Sequence, residues 1–171
     1  THLKSILLPF YSKKICYFAY ISTKDNEKYG TLNFIKIDYN STPNIISAET
    51  LIAPSITSLP LAATLSQDGE SYFMASMVAD PEELLITQLF SSGNYVNTRN
   101  KDTDLKNENN ITSGKKLKFS PQGDKLILNY YGSNFVFYSF DKSNGDITQN
   151  FKVDFNKESE YNIRSMFEFS A

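Results

Sequence analysis

The stretch from Lys116 to Asp141 restricts what this chain can fold into more than any other: K-L-K-F-S-P-Q-G-D-K-L-I-L-N-Y-Y-G-S-N-F-V-F-Y-S-F-D. Leu117 and Phe119 alternate with Lys116 and Lys118, the period of a strand with one dry face. Ser120-Pro121-Gln122-Gly123 is a turn, because Pro121 has its φ preset and Gly123 accepts a positive φ. Leu126-Ile127-Leu128 is a continuous apolar run of strand length, which suits a strand covered on both sides. Gly132 and Asn134 mark the next turn. Phe135 to Phe140 is aromatic and β-branched, a strong strand. Asp141 to Asp146 turns on Asn144-Gly145, and Ile147 to Phe155 has room for a fourth strand. The stretch thus predicts one small meander of four antiparallel strands.

Weaker copies of this meander precede it. Leu3 to Phe10, Ile15 to Ile21, Thr31 to Asp38 and Ile45 to Ile52 read as four strands, with turns at Ser12-Lys13-Lys14 and around Pro43. The pattern restarts near Leu59. Leu61 to Leu65, Ser71 to Met77 and Leu84 to Phe90 are strands, parted by Ser66-Gln67-Asp68-Gly69 and by Ala79-Asp80-Pro81-Glu82. Ser91-Ser92-Gly93-Asn94 turns, and Tyr95 begins an outer strand. Asn97 to Ser113 is polar and reads as the longest loop.

The repeat has a measurable period. Ser66-Gln67-Asp68-Gly69 is echoed by Ser120-Pro121-Gln122-Gly123 after 54 residues, and Tyr17-Phe18-Ala19 by Tyr72-Phe73-Met74 after 55. Phe119-Ser120 recurs 50 residues on as Phe169-Ser170. Periods of roughly 40–50 residues are those of propeller blades. The expected fold is all-β: a partial β-propeller of about three four-stranded antiparallel blades plus the first strand of a fourth. The blades fall at about 1–57, 58–110 and 111–160, with 161–171 starting the next. A self-contained twisted stack or sandwich is the alternative. Three blades do not close a ring, which takes roughly four to eight. The remaining blades are therefore expected from a longer chain or from additional copies. Thr1, not Met, opens the sequence, which fits a processed or internal start.

Composition excludes several classes. The net charge of −2 leaves no basic footprint, so nucleic acid is not an expected partner. No apolar run approaches the ~20 residues of a membrane helix, so membrane insertion is not expected either. Cys16 is the single cysteine, which excludes an internal disulfide and a cysteine-based zinc site; its setting, Ile15-Cys16-Tyr17-Phe18, predicts a buried, inert thiol.

No set of residues converges on a known chemistry. His2 is the only histidine, and a Ser-His-Asp or Cys-His arrangement would have to use it from a chain end. Asn100, Asp102 and Asp104 imitate the start of a calcium loop. The imitation then fails, with Leu105 where Gly belongs and Ile111 in place of the bidentate Glu. Ser113-Gly114-Lys115-Lys116 lacks the first glycine and the hydroxyl residue of a phosphate loop. Asp80, Glu82 and Glu83, and likewise Glu158 and Glu160, sit in turn-like sequence and read as solvated faces. Asn40-Ser41-Thr42 and Asn110-Ile111-Thr112 match the glycosylation pattern, which chance produces often in an Asn-rich chain. Tyr130 and Tyr131 at a hairpin tip are candidate interaction anchors, or else pack on a neighbouring blade. No catalytic, cofactor-binding or metal-binding residue is assigned, and no cofactor is expected.

The motif itself carries a resemblance. Leu117-Lys118-Phe119-Ser120-Pro121-Gln122-Gly123-Asp124-Lys125-Leu126, then Phe137 to Asp141 and Gly145-Asp146-Ile147, resembles the "FSPDG-K-L … YDFD … TG-I" blade of WD-like and YVTN-like propellers. It looks most like the propellers of exported Bacteroidetes cell-surface proteins. The match covers Lys116 to Phe155 and Phe167 to Ser170, and fades toward the first blade. Gln122 replaces the usual Asp, Ser66-Gln67 lacks the Pro, and no Trp-Asp pair is present. The resemblance implies blade geometry and an extracytoplasmic, secreted or cell-surface setting. Function does not follow from it, since such propellers range from scaffolds to lactonases. The expectation is a non-catalytic scaffold that binds protein or glycan. The alternative is a propeller-type lactonase or hydrolase, or the propeller domain of a larger hydrolase.

Overall fold

The structure, a computed structural model of the chain, describes residues 4–23, 29–40, 44–45, 50–79, 82–100, 116–130 and 134–154. Its strands are β1 (Lys4–Phe10), β2 (Ile15–Ser22), β3 (Gly30–Asp38), β4 (Asn44–Ile45), β5 (Thr50–Leu65), β6 (Ser71–Ala79), β7 (Glu82–Phe90), β8 (Tyr95–Asn100), β9 (Lys116–Phe119), β10 (Lys125–Tyr130), β11 (Asn134–Phe140) and β12 (Ile147–Asp154). A 3-10 turn at Tyr11–Lys13 joins the first two. The expected all-β character holds, and Leu84 to Phe90 is strand throughout.

Pairing is antiparallel between successive strands and sorts them into three four-stranded units. The first holds β1, β2, β3 and the start of β5, with the short β4 beside β3. The second holds the end of β5 with β6, β7 and β8. The third holds β9 to β12. Hydrogen bonding through β5 joins the first two units into one path, and none of the described sheets closes on itself.

β5 corrects the sequence reading. Ile45 to Ile52 and Leu61 to Leu65 were expected as separate strands with a break between. Instead Thr50 to Leu65 is one strand, pairing with β3 as far as Ile56 and with β6 at Ile56 and again from Leu61 on. Ile56 is partnered by both Gly30 of β3 and Val78 of β6. Pro54 and Pro60 lie within this strand, and neither stands opposite a partner residue. A proline donates no ladder bond, so both fall where the ladder is interrupted while the chain stays extended. The polar loop expected from Asn97 is likewise strand as far as Asn100. Asn97 accepts from Thr87 Oγ1 at 2.7 Å and donates to the Ile52 carbonyl at 3.1 Å, which fastens a polar strand without apolar burial. The rest of that loop, and the strand expected at 161–171, lie outside the described residues.

The units stack face on face. Tyr17, Ala19, Leu8 and Phe34 of the first face Met74, Leu85 and Leu89 of the second in one apolar layer. Phe73, Ala75, Met77 and Ile86 leave the opposite side of the second unit and meet Leu117, Leu126, Leu128 and Tyr138 of the third. The alternation of strand side chains lets one sheet feed two cores. We call the side turned toward the next unit its forward face and the other its backward face. Leu126, Ile127 and Leu128 are all buried, as a doubly covered strand requires.

Hydrogen bonds fix the phase of the repeat. The N–H of Tyr39 donates to the Lys14 carbonyl, that of Ser91 to Glu70 and that of Phe140 to Asp124, at 3.1, 3.4 and 2.8 Å. In each case the next ladder pair inward is Ile15 with Asp38, Ser71 with Phe90, and Lys125 with Ser139. Equivalent positions are therefore Ile15, Ser71 and Lys125, steps of 56 and 54 residues. Tyr17-Phe18-Ala19 and Tyr72-Phe73-Met74 do lie on the same strand of successive units, but the match at 55 is one residue out. Tyr17 corresponds to Phe73 and Ala19 to Ala75. A slip of one residue exchanges the two faces, which is why Tyr17 points forward and Tyr72 backward.

Candidate functional site

The first turns of the three meanders and the third turns of the second and third gather at one end of the stack. Two of the first turns are built alike. Ser66 and Ser120 each bond across the turn, N–H to the Ser71 and Lys125 carbonyls, and their Oγ atoms accept from the N–H groups of the same two residues at 3.0 and 3.1 Å. Each hydroxyl donates to a carboxylate, Ser66 to Asp68 at 2.6 Å and Ser120 to Asp124 at 2.9 Å. Gly69 and Gly123 supply the positive φ, 77° and 75°. The first unit has no glycine here; Lys14 takes the left-handed conformation instead, at φ 53°.

These hydroxyl bonds act on the charge of the end. The Ser66 bond holds the Asp68 carboxyl below its ordinary range, and Ser120 does the same to Asp124. Asp141 is lowered by the side chain and N–H of Ser143, both bonded to its Oδ1. Fixed, ionised carboxylates thus stand at the turns.

Where the second and third units meet, these turns border an open groove of about 580 Å³. Gln67, Asp124, Asp141, Lys142, Asp146 and Thr148 line it, with Phe140 and Ser139. Its walls are tied together: the Gln67 N–H donates to the Lys142 carbonyl at 3.0 Å, and Lys142 Nζ reaches the Gln122 carbonyl at 3.0 Å. The groove offers carboxylates, an amide, a hydroxyl and an ammonium on a braced frame. It suits polar recognition. Among the described residues, no three of His, Cys, Asp and Glu are placed to hold a metal ion.

The residues singled out from sequence scatter. His2, Asp80, Asp102, Asp104, Leu105, Asn110 to Lys115, Tyr131, Glu158, Glu160 and Phe167 to Ser170 lie outside the described residues. Asn100, Glu82 and Tyr130 end or begin strands. Asn40 is exposed, with Ser41 and Thr42 undescribed. Cys16 is half-buried rather than buried, and burial pushes its thiol up.

Glu83 is a correction. Read as a solvated turn residue, it lies in β7 and is 5% exposed. β7 begins at Glu82, so alternation puts Glu83 on the backward face with Leu85 and Leu89. Its ladder partner is Val78. Ser76, two residues along β6 on the same face, is wholly buried and its Oγ has no hydrogen-bond partner among the described residues. The groove was missed because Gln67 comes from a turn 57 positions before Asp124; the shared Ser-x-x-Gly turn was the one available signal.

Fold and groove define a class: an all-β stack of four-stranded antiparallel meanders with a polar, turn-built end. No model of a known protein family matches the chain, and no curated protein is similar to it in sequence. Among the described residues, no helix is long and apolar enough to cross a membrane.

Proposed function

We propose that the three units are successive blades of a β-propeller, and that this propeller is a non-catalytic scaffold binding protein or glycan through its turn-built end. One observation carries the reading: the two contacts between units use the same lock. Gly93, in the third turn of the second unit, sits over Tyr17; a Cβ there would lie 3.1 Å from the hydroxyl. Gly145, in the third turn of the third unit, sits over Phe73, and its Cβ would lie 2.6 Å from the ring. Tyr17 and Phe73 are equivalent positions, so each unit receives the next in one orientation. A constant step between sheets is what arrangement around an axis requires. The forward-to-backward order favours it over a sandwich, in which two inner faces oppose each other.

The groove supports binding over catalysis, since the carboxylates of Asp124 and Asp141 are exposed and held by the hydroxyls of Ser120 and Ser143 rather than paired for proton transfer. An exported or cell-surface setting belongs to the same proposal and rests on the blade resemblance. Two measurements test it. Electron microscopy of the longest natural chain carrying these residues should show rings with a central channel; open, elongated stacks would refute the blade reading. Asp124→Lys with Asp141→Lys should weaken binding to the protein or glycan selected by an array at least tenfold with the circular dichroism unchanged. Unaltered binding would remove the groove from the function.

A further inference from the structure

Asn144-Gly145 is the one Asn-Gly pair in the chain. Glycine has no Cβ to shield its nitrogen, so this pair is the one most open to attack of that nitrogen on the preceding side-chain amide. In that reaction the Gly145 nitrogen gives its proton to solvent base and bonds to Cγ of Asn144. The Cγ–Nδ2 bond breaks, and Nδ2 takes a proton from water and leaves as ammonia. Water then opens the five-membered imide. Breaking the new bond leaves an aspartyl residue. Breaking the original peptide bond leaves an isoaspartyl one, with an extra carbon in the main chain. Water is the only co-reactant.

The folded turn withholds both reactants. Asn144 is exposed, so water reaches it, and hydrogen bonds rather than burial hold its side chain. The Gly145 N–H donates to the Asp141 carbonyl at 2.7 Å, which secures the proton that has to leave. Nδ2 of Asn144 donates to Asp146 Oδ2 at 2.8 Å, and its Oδ1 accepts from the Asp146 N–H at 2.9 Å. The amide is thus committed to the residue after the nucleophile. Gly145 is itself buried, at φ 83°, with ring carbons of Phe73 2.6 and 3.1 Å from where a Cβ would stand. A swing of the Asn144-Gly145 peptide toward the imide has to displace that ring, which belongs to the second unit.

We propose that Asn144 is a site of spontaneous covalent modification, gated by the contact between the second and third units. While the turn is seated, Asn144 is spared. When the turn lifts from Phe73 in a local opening, the Gly145 N–H and the Asn144 amide come free and the imide forms. The change does not reverse. An isoaspartyl link adds a carbon ahead of Gly145, which then loses either its bond to Asp141 or its place under Phe73. An aspartyl product sets a second carboxylate where Nδ2 met Asp146, and the like charges repel. Either product loosens a wall of the groove, which Asp141 and Asp146 line. The inference uses one turn and one contact, and stands whether or not the units are blades.

Peptide mapping by mass spectrometry tests it, on the longest natural chain that carries these residues, aged in buffer and in urea. Conversion at Asn144 should be at least about tenfold slower in buffer, because more than one hydrogen bond has to open first. Equal rates in the two solvents would overturn the proposal. Phe73→Leu, with its circular dichroism unchanged, should raise the rate in buffer several-fold and leave the rate in urea alone. An unchanged rate in buffer would show that the contact is not the gate, and would overturn it too. Asp146→Ala, at an exposed residue, should bring the rate in buffer closer to that variant's own rate in urea; a ratio equal to the wild type's would overturn the hold assigned to the carboxylate. Converted chains, separated by ion exchange, should melt several degrees below unconverted ones. Identical melting would overturn the loosening of the groove wall.

Discussion

Tyr17 does three things at once. Its ring lies edge-on to Phe10 and Phe34, its hydroxyl donates to the Ser91 carbonyl at 3.0 Å, and Gly93 closes over it. Burial pushes its phenol up to about 12. Tyr17→Phe should therefore cost about 1 kcal/mol at neutral pH, the net worth of one hydrogen bond. The pH dependence has a definite sign. The unfolded chain ionises Tyr17 near the usual value of about 10, below the folded value. Its contribution is whole below pH 10 and is lost as pH rises to 12, so denaturation curves of the variant should fall less steeply across that window. The glycines separate strain from collision. Gly69 and Gly145 both have positive φ, 77° and 83°, but only Gly145 has a neighbour within reach. Gly69→Ala should cost about 1–2 kcal/mol for the left-handed backbone. Gly145→Ala adds the clash with Phe73, about 1–3 kcal/mol more, and Phe73→Leu in the same chain should recover part of it by thermal melting. An equal loss at both sites would mean that the two units do not meet there.

At the scale of elements, the serine turns make the most local prediction. Ser120→Ala removes the bond to Asp124 and the acceptor for the Lys125 N–H, and should cost about 1 kcal/mol. Asp124 is lowered in the wild type, so its share of stability is present above the ordinary carboxylate range and is lost as pH falls through the folded value. In Ser120→Ala an NMR titration should find Asp124 moved back up toward the ordinary range of about 3.9; an unchanged midpoint would mean the hydroxyl is not the cause. These turns were legible because Ser-x-x-Gly is written twice, and the strands because alternation and aromatic runs mark them. Three things were not. The phase of the first unit slipped by one residue because Lys14, not a glycine, takes the left-handed position and leaves no landmark. β5 was read as two strands because one extended run changes ladder partners midway, from β3 to β6, which no local pattern marks. Glu83 looked solvated because its neighbours Asp80 and Glu82 are acidic, while its burial depends on where β7 begins, and boundaries are the least legible feature of a strand. The groove assembles side chains from Gln67 to Thr148, and only the stacking of two units brings them together.

For the whole molecule, the question is how far a disturbance travels. The second unit belongs to both apolar layers, through Met74 and Leu85 on one side and Phe73 and Ile86 on the other. Among the described residues, the first and third units share no layer. Stability in such a stack is close to a sum of unit terms and nearest-neighbour interfaces. Leu8→Ala and Leu128→Ala each remove a wholly buried side chain and should each cost about 2–5 kcal/mol. Their reach should differ. Leu8→Ala should speed amide exchange in β1 to β3, β6 and β7 and spare β10 and β11. Leu128→Ala should speed exchange in β6, β7, β10 and β11 and spare β1 and β2. Among the described residues, the shared strand β5 touches both outer units directly, since it pairs with β3 and packs on β9. Uniform acceleration across all three units in either variant would show that β5 transmits the loss, and that the chain unfolds as one body rather than as neighbours in a row.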